Sequence, residues 1–150
     1  MDSVSSHLAW IKNIQERIRF NDYSGQQISF PIIADMKMEV AKKYGMIQPH
    51  ASDTKAVRAV FVVDPKGKIR AILYYPLSTG RNFEEIKRLL EALQTTDKYG
   101  VATPANWKSG ESVLAGAPSD SQAMYERIEK TPAELYCQDW FFCTKDAPLA

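Results

Sequence analysis

The chain has 150 residues, of which 45% are hydrophobic and 25% are charged. These values are ordinary for one globular domain with a sizeable core. A formal net charge of +1 excludes the strongly basic surface of a nucleic-acid-binding protein. No apolar run approaches the ~18–20 residues that span a bilayer, and residues 1–7 lack the parts of a signal peptide. We therefore predict a cytoplasmic protein with no nucleic-acid or membrane partner.

The first third of the sequence predicts two helices and a short strand. Apolar side chains recur at helical spacing over residues 3–20, where Ser3 is a suitable N-cap. Residues 30–33 form a short apolar run that contains a proline, which is typical of a short or edge strand. A second helix is predicted over residues 36–44, with Asp35 as its cap.

The middle third predicts a β-hairpin and a further helix. Residues 57–63 are apolar and β-branched, residues 64–67 have turn-forming composition, and residues 68–75 resume a strand. Residues 82–94 begin with an asparagine that is followed three positions later by a glutamate. This spacing resembles a capping box and predicts an amphipathic helix.

The last third shows weaker periodicity. Residues 95–118 are rich in Pro, Gly, Ser and Thr around a single Trp107, which indicates an extended arm or linker. Ser119 is predicted to cap a short helix, and a tail with both cysteines ends the chain. The pattern thus favours an α/β arrangement over residues 1–94 and a mostly irregular arm over residues 95–150.

Both cysteines of the chain, Cys137 and Cys143, lie among aromatic residues near the C-terminus. In the cytoplasm a disulfide is more often transient or catalytic than structural, although some hyperthermophiles keep structural ones. The pair could form a local disulfide or pack as small buried side chains. A metal site is disfavoured, because two thiolates without a nearby histidine leave the coordination incomplete. No cofactor or metal is predicted.

Two arginines and two histidines are the other candidates. Arg58 stands in an apolar strand, where a charge is costly unless it meets a partner or solvent. Arg81 lies just before the helix of residues 82–94. The local pattern by itself favours solvent-facing arginines at both positions. His7 and His50 have no paired nucleophile, so solvated histidines are expected there.

Several segments occur in an order that is familiar from one family. They are residues 2–10 (DSVSSHLAW), 30–35 (FPIIAD), 57–65 (VRAVFVVDP), 75–82 (YPLSTGRN), 101–107 (VATPANW) and 137–143 (CQDWFFC). Together they resemble peroxiredoxins of the one-cysteine type with a long C-terminal domain, and the tail is similar to the archaeal branch. The resemblance covers nearly the whole chain. It implies a thioredoxin-like α/β fold over residues 1–94, incomplete at its N-terminus, and a C-terminal extension or dimerisation arm over residues 95–150.

The resemblance also implies roles for the candidate residues. It suggests a thiol peroxidase that reduces hydrogen peroxide and alkyl hydroperoxides. Arg58 would stabilise the peroxidatic thiolate and orient the peroxide, and Arg81 would support the same thiolate. Cys143 is the candidate resolving cysteine, while Cys137 is either the alternative resolver or a local disulfide partner. The implied partners are the peroxide, a thioredoxin-like, glutaredoxin-like or small-thiol reductant, and further copies of the chain in a homodimer or ring.

The peroxidatic cysteine of this family lies in a Pro-x-x-x-Thr-x-x-Cys motif, which neither cysteine fits. The positions that need Pro and Thr hold Lys130 and Glu134 for Cys137, and Tyr136 and Trp140 for Cys143. We therefore predict that the chain is truncated at its N-terminus, lacks the peroxidatic cysteine and is inactive by itself.

Two other hypotheses stay open. The chain could be a non-catalytic paralogue that serves as an oligomer subunit or as a docking partner of an intact peroxiredoxin. Its start could also be misassigned. In either case an incomplete sheet would leave an edge and an apolar face uncovered, which predicts marginal stability or self-association.

Overall fold

The structure is a computed structural model that describes residues 2–21, 23–47 and 57–147. The chain divides into two compact units. Unit 1 consists of Met1–Phe61 and Ala71–Gly80, and unit 2 consists of Val62–Arg70 and Arg81–Ala150. The domain boundary after residue 94 stays a prediction. None of the helices in the described ranges is long and apolar enough to cross a membrane.

Unit 1 opens with helix α1, Val4–Glu16. Its predicted cap is confirmed, because the Ser3 hydroxyl accepts a hydrogen bond from the backbone N–H of Ser6 at 3.1 Å. The helix ends before residue 20, since the chain turns there into a short antiparallel ladder. The ladder pairs β1 (Arg19–Phe20) with β2 (Tyr23–Ser24).

The segment after this ladder is less regular than the sequence predicts. Residues 30–33 form no strand, and a proline in this run removes one ladder donor. Helix α2 is only Glu39–Lys43, because Met38 adopts a left-handed conformation with φ of 58° and delays the helical geometry. The prediction of a helix over residues 36–44 was therefore too long at both ends.

Asp35 caps α2 from outside the helix rather than from the N-cap position. Its carboxylate accepts hydrogen bonds from the backbone N–H groups of Ala41 at 2.8 Å and Val40 at 3.1 Å. These donors favour the ionised form, the Ala41 N–H most strongly, and hold the pKa of Asp35 below its ordinary value.

The predicted hairpin is confirmed. Strand β3 (Arg58–Val63) pairs with β4 (Ile69–Tyr75). The Asp64 carboxylate accepts hydrogen bonds from two backbone N–H groups of the turn, each at 2.9 Å. Gly67 has φ of 78°, a left-handed conformation that glycine adopts without steric cost.

Helix α3, Phe83–Tyr99, is the longest element of unit 2. Its predicted cap is confirmed, because the Asn82 side chain accepts a hydrogen bond from the backbone N–H of Glu85 at 3.2 Å. The predicted end near residue 94 was wrong, and the helix continues to a left-handed Gly100. Its last turns are held by Arg70, which donates to both carboxylate oxygens of Asp97 at 2.5 and 2.8 Å.

The segment predicted as a mostly irregular arm contains a three-stranded antiparallel sheet. Its strands are β5 (Val113–Leu114), β6 (Tyr136–Asp139) and β7 (Phe142–Lys145). Strand β7 is central and pairs with both of the others. The β6–β7 register shifts between Cys137 and Asp139, which marks a bulge or irregularity.

Helix α4, Ser121–Glu129, lies between β5 and β6 in the chain. Its N-cap is Asp120 rather than the predicted Ser119, and the Asp120 carboxylate accepts a hydrogen bond from the backbone N–H of Ala123 at 2.8 Å. A carboxylate and a hydroxyl are both good N-caps, so the sequence alone does not decide which of these two neighbouring residues caps the helix.

Trp107 is the centre of the core of unit 2, not a residue of a linker. Its side chain is 2% exposed and clusters with Ala92, Val101 and Val113. The indole Nε1–H donates to the carbonyl oxygen of Glu111 at 3.0 Å, so burial leaves no unsatisfied donor on the ring. This cluster joins α3 to the strands that follow it.

Unit 1 buries far less. Among its described residues, Ala41 is the one buried hydrophobic side chain. An edge-to-face aromatic pair, Tyr44 with Phe61 at 5.1 Å between ring centroids, supports the hairpin. Many large apolar side chains of this unit are exposed, including Val4, Leu8, Trp10, Phe20, Tyr23, Phe30, Ile33 and Met36.

Candidate functional site

Arg58 is the first residue of β3 and is half-buried. Its Nη1 donates a hydrogen bond to the carbonyl oxygen of Thr79 at 3.0 Å. The guanidinium is therefore hydrogen-bonded within unit 1 at a site that solvent still reaches, which agrees with the solvent-facing arginine that the strand pattern favoured. A fixed cation of this kind can lower the pKa of a neighbouring thiol or hold a polar oxygen.

Arg81 is exposed and lies just before Asn82, the N-cap of α3. It belongs to unit 2, whereas Arg58 and its acceptor Thr79 belong to unit 1. Thr79 precedes Arg81 by two positions in the sequence. That both arginines serve one thiolate stays a prediction.

The two cysteines are joined by a disulfide. Cys137 in β6 and Cys143 in β7 are directly opposed across the hairpin, with their Cα atoms 4.0 Å apart. Cys143 is 1% exposed, whereas Cys137 is half-buried. The two sulfur atoms therefore differ in access, and their parts in a resolving step stay predictions.

The backbone around the disulfide places carbonyl groups near one sulfur. Cys143 Sγ lies 3.4 Å from the carbonyl oxygen of Asp139 and 3.9 Å from that of Trp140. A disulfide sulfur has no proton to donate, so these are contacts rather than hydrogen bonds in the oxidised chain. After reduction, the same oxygens could accept a hydrogen bond from the Cys143 thiol.

Sequence reasoning missed Arg127 on α4. Its Nη1 donates to the carbonyl oxygens of Gly116 at 3.0 Å and Trp140 at 3.2 Å. These acceptors are distant in sequence, and no local pattern points to them. Arg70, by contrast, lies in a strand between apolar residues, so the reasoning that singled out Arg58 also applies to it.

The remaining candidates lie elsewhere. His7 is a half-buried residue of α1, and His50 lies outside the described residues. Within residues 2–21, 23–47 and 57–147, no group of three or more His, Cys, Asp or Glu side chains could hold a metal ion.

Two family models match separate parts of the chain. The model of the AhpC/TSA family matches residues 1–72, and the model of the C-terminal domain of 1-Cys peroxiredoxin matches residues 92–131. A peroxiredoxin of Methanosarcina mazei is 55% identical over 145 residues, which are 97% of this chain and 66% of the relative. One from Nanoarchaeum equitans is 46% identical over 157 residues, covering 97% and 68%. The chain belongs to the peroxiredoxin family.

The fold class follows from the same comparisons. The structure of a yeast mitochondrial 1-Cys peroxiredoxin matches with a TM-score of 0.76 and 32% sequence identity, covering 97% of this chain and 67% of that one. The predicted thioredoxin-like α/β fold with a C-terminal extension is confirmed. The chain spans 66%, 66% and 62% of the lengths of three relatives that it matches.

Proposed function

We propose that this chain serves the thiol peroxidase chemistry of the peroxiredoxins and supplies all but the peroxidatic thiol. The observation that carries the proposal is the disulfide between Cys137 and Cys143, which are the only two cysteines of the sequence. In the oxidised chain both sulfur atoms are bonded to each other, and after reduction neither cysteine lies in the peroxidatic motif, so neither is placed to attack a peroxide. We therefore expect the chain to be inactive by itself.

The proposed reaction divides between two sulfur centres. A peroxidatic thiolate attacks one oxygen of the peroxide, so the O–O bond breaks, the sulfur becomes a sulfenic acid and an alcohol or water leaves. Arg58 would stabilise the thiolate and orient the peroxide. Its anchored, half-buried guanidinium supports this part, because it needs no rearrangement to present its charge. Arg81, which lies just before α3, would support the same thiolate.

The tail pair would take the second step. A resolving thiol attacks the sulfenic acid sulfur, forms a disulfide and releases water. A thiol reductant then reduces this disulfide back to thiols. The reductant would be a thioredoxin-like or glutaredoxin-like protein or a small thiol. The yeast mitochondrial neighbour is described as resolved through glutathione and thioredoxin systems, which supports this class of reductant. A cytoplasmic location, where such thiols are abundant, is part of the same proposal.

A peroxide-consumption assay tests the inactivity. The purified chain with hydrogen peroxide and dithiothreitol should consume peroxide at the rate of dithiothreitol alone. The double variant Cys137→Ser/Cys143→Ser is the matched control and should give the same rate. Turnover above this background that disappears in the double variant would overturn the proposal, because it would assign the peroxidatic role to a tail cysteine.

The alternative role, an oligomer subunit or docking partner of an intact peroxiredoxin, is favoured by the exposed apolar side chains of unit 1. Phe20 is 69% exposed and Trp10 is 50% exposed. Large exposed apolar side chains mark interaction sites in soluble proteins where they lie together as a patch. The proposed partner is a second peroxiredoxin chain, in a homodimer or a ring.

Sedimentation equilibrium of the chain tests this role. We expect a concentration-dependent dimer or larger species that is weakened by Phe20→Ser and Phe30→Ser together. Tyr125→Ser on α4 of unit 2, which replaces a comparably exposed aromatic residue, should leave the association unchanged. A monomer that melts sharply and cooperatively in dilute solution would contradict both association and marginal stability.

A further inference from the structure

The two cysteines of the tail disulfide differ in exposure. Cys143 is 1% exposed in the centre of the β5–β7–β6 sheet, whereas Cys137 lies on the outer strand β6 and is half-buried. Thiol–disulfide exchange requires a thiolate to reach one sulfur from outside, and its rate depends on which sulfur is accessible. The burial therefore directs an incoming reductant to Cys137 and makes Cys143 the leaving sulfur.

Without a compensating positive charge, the surroundings of Cys143 would disfavour its departure as a thiolate. The leaving sulfur becomes a thiolate, and the carbonyl oxygens of Asp139 and Trp140 lie 3.4 and 3.9 Å from it. Both carbonyl dipoles present their negative ends to the sulfur and disfavour an anion there. The Asp139 carboxylate accepts a hydrogen bond from the Trp140 backbone N–H at 2.7 Å.

Arg127 supplies the compensating charge. One nitrogen of its guanidinium donates to the Trp140 carbonyl oxygen at 3.2 Å, so a single carbonyl group separates the cation from the Cys143 sulfur. The same nitrogen donates to the Gly116 carbonyl oxygen at 3.0 Å. Arg127 is thereby fixed between the chain after β5 and the tip of the β6–β7 hairpin. A nearby fixed cation stabilises a thiolate, and a thiol of lower pKa is a better leaving group.

We propose that a thiol reductant opens this disulfide by attack on Cys137, and that Arg127 is the positioning residue that stabilises the thiolate leaving at Cys143. The reductant sulfur forms a bond to Cys137 Sγ, the Sγ–Sγ bond breaks, and Cys143 takes the electron pair. A second reductant thiol then displaces the first from Cys137. The sum converts the disulfide and two reductant thiols into two protein thiols and one oxidised reductant. The physiological place of this step rests on the proposed function, but the step needs no peroxide.

Trapping the mixed disulfide tests the direction of attack. The oxidised full-length chain is mixed with 2-mercaptoethanol, quenched rapidly in acid, and digested for mass spectrometry. We expect the adduct on Cys137 in roughly tenfold excess over Cys143, because access selects the attacked sulfur. Equal adducts, or an excess on Cys143, would overturn the directional part. Peroxide turnover by the chain would overturn the proposed function and leave this result unchanged.

Variants on α4 test Arg127. Arg127→Met should slow reduction about threefold to tenfold, since a leaving thiol of higher pKa departs more slowly, and Arg127→Lys should restore most of the rate. Lys130→Met is the matched control, because its side chain makes no hydrogen bond or ion pair with any described residue, and it should leave the rate unchanged. Equal rates for Arg127→Met and Lys130→Met would reject the role of Arg127.

A titration separates this role from a merely structural one. In a Cys137→Ser background, the absorbance of the Cys143 thiolate near 240 nm gives the pKa of that thiol. Arg127→Met should raise this pKa, whereas a loss of packing alone would not raise it selectively over Lys130→Met. If Arg127→Met does not fold, Arg127→Gln, which has an uncharged polar side chain, takes its place and should likewise slow reduction and raise this pKa if charge is the cause. A changed rate with an unchanged pKa would overturn it.

Discussion

The two units of this chain differ in how they hold their folds. Unit 2 encloses Trp107 among Ala92, Val101 and Val113 and adds the buried Cys143 of its sheet. Unit 1 has Ala41 as its one buried hydrophobic residue within the described ranges. Its α1 has no buried residue at all. Hydrophobic burial is the dominant favourable term in folding, so we predict that unit 2 contributes more of the stability and that unit 1 needs a further surface to cover its apolar side chains.

This difference between the two units can be set beside the family matches. The chain spans about two thirds of the lengths of its relatives, and the match to the C-terminal domain of 1-Cys peroxiredoxin lies inside unit 2. Unit 2 does expose apolar side chains, Phe83 among them. The difference is that it also encloses a core, whereas unit 1 mostly does not.

The largest expected effect comes from emptying the core of unit 2. Trp107→Ala should lower the free energy of unfolding by about 3–5 kcal/mol, because it leaves a cavity and removes the bond to the Glu111 carbonyl. Trp10→Ala is the control in unit 1 and should change it by less than about 0.5 kcal/mol in dilute solution. Urea unfolding followed by circular dichroism measures both. If both variants lowered the free energy of unfolding equally, Trp10 would be buried in solution, and the proposed difference between the two units would be wrong.

A middle-sized effect is expected from opening the disulfide. The cross-link closes a short loop, with a sequence separation of 6, and loop-closure entropy for that size corresponds to about 2 kcal/mol. Reduction should therefore speed hydrogen exchange in β6 and β7, measured by mass spectrometry of peptides, and leave α1 unchanged. The double serine variant should match the reduced chain. Faster exchange in α1 as well would mean that the two units unfold together.

The smallest expected effects are changes in the unfolding midpoint at low pH when either of two carboxylates is replaced. The pKa of Asp97 is held below its ordinary 3.8 mainly by its hydrogen bonds from Arg70, with the charge of Arg70 contributing less. A depressed pKa gives stability that is complete above the ordinary value and is lost as the pH falls through the lower folded value. Asp97→Asn should therefore flatten the decline of the unfolding midpoint below about pH 4.

Salt distinguishes Asp97 of unit 2 from Asp35 of unit 1. Asp97 belongs to a solvent-accessible ion pair, which salt screens. Asp35 is held chiefly by backbone N–H groups, and these short-range bonds are screened less. In 1 M salt, Asp97→Asn should lose more of its effect on the acid limb than Asp35→Asn, because the charge of Arg70 contributes part of the lowering of the Asp97 pKa. Equal salt sensitivity would contradict this assignment.

Helix caps and the hairpin turn could be predicted from the sequence, because each is formed by residues within one short segment. The Ser3 and Asn82 caps and the Asp64 turn need only neighbours within a few positions, and all three were found or lie where the pattern places them. The family resemblance added the fold class, because ordered motifs carry information about the whole chain that periodicity does not.

The structure of the last third depends on contacts that no local pattern encodes. Trp107 looked like a linker residue because its contacts with Ala92 of α3 and with Val113 form only in the folded chain and leave no periodic pattern in the sequence. Strands β6 and β7 are short, and their loop residues Trp140 and Phe141 lack the glycine or asparagine that signals a tight hairpin turn. The contacts of Arg127 are likewise set by tertiary packing.

The burial of Trp107 gives the molecule an optical consequence. An indole enclosed by aliphatic side chains emits at shorter wavelength than one in water, and Trp107 is 2% exposed while Trp10 is 50% exposed. Emission from Trp107 should therefore shift to the red when unit 2 unfolds, whereas Trp10 should change little. Replacing Trp10 by phenylalanine would leave Trp107 and Trp140, both in unit 2, whereas replacing those two together would leave Trp10 of unit 1. Each of these variants would report on one of the two regions from which the chain is built.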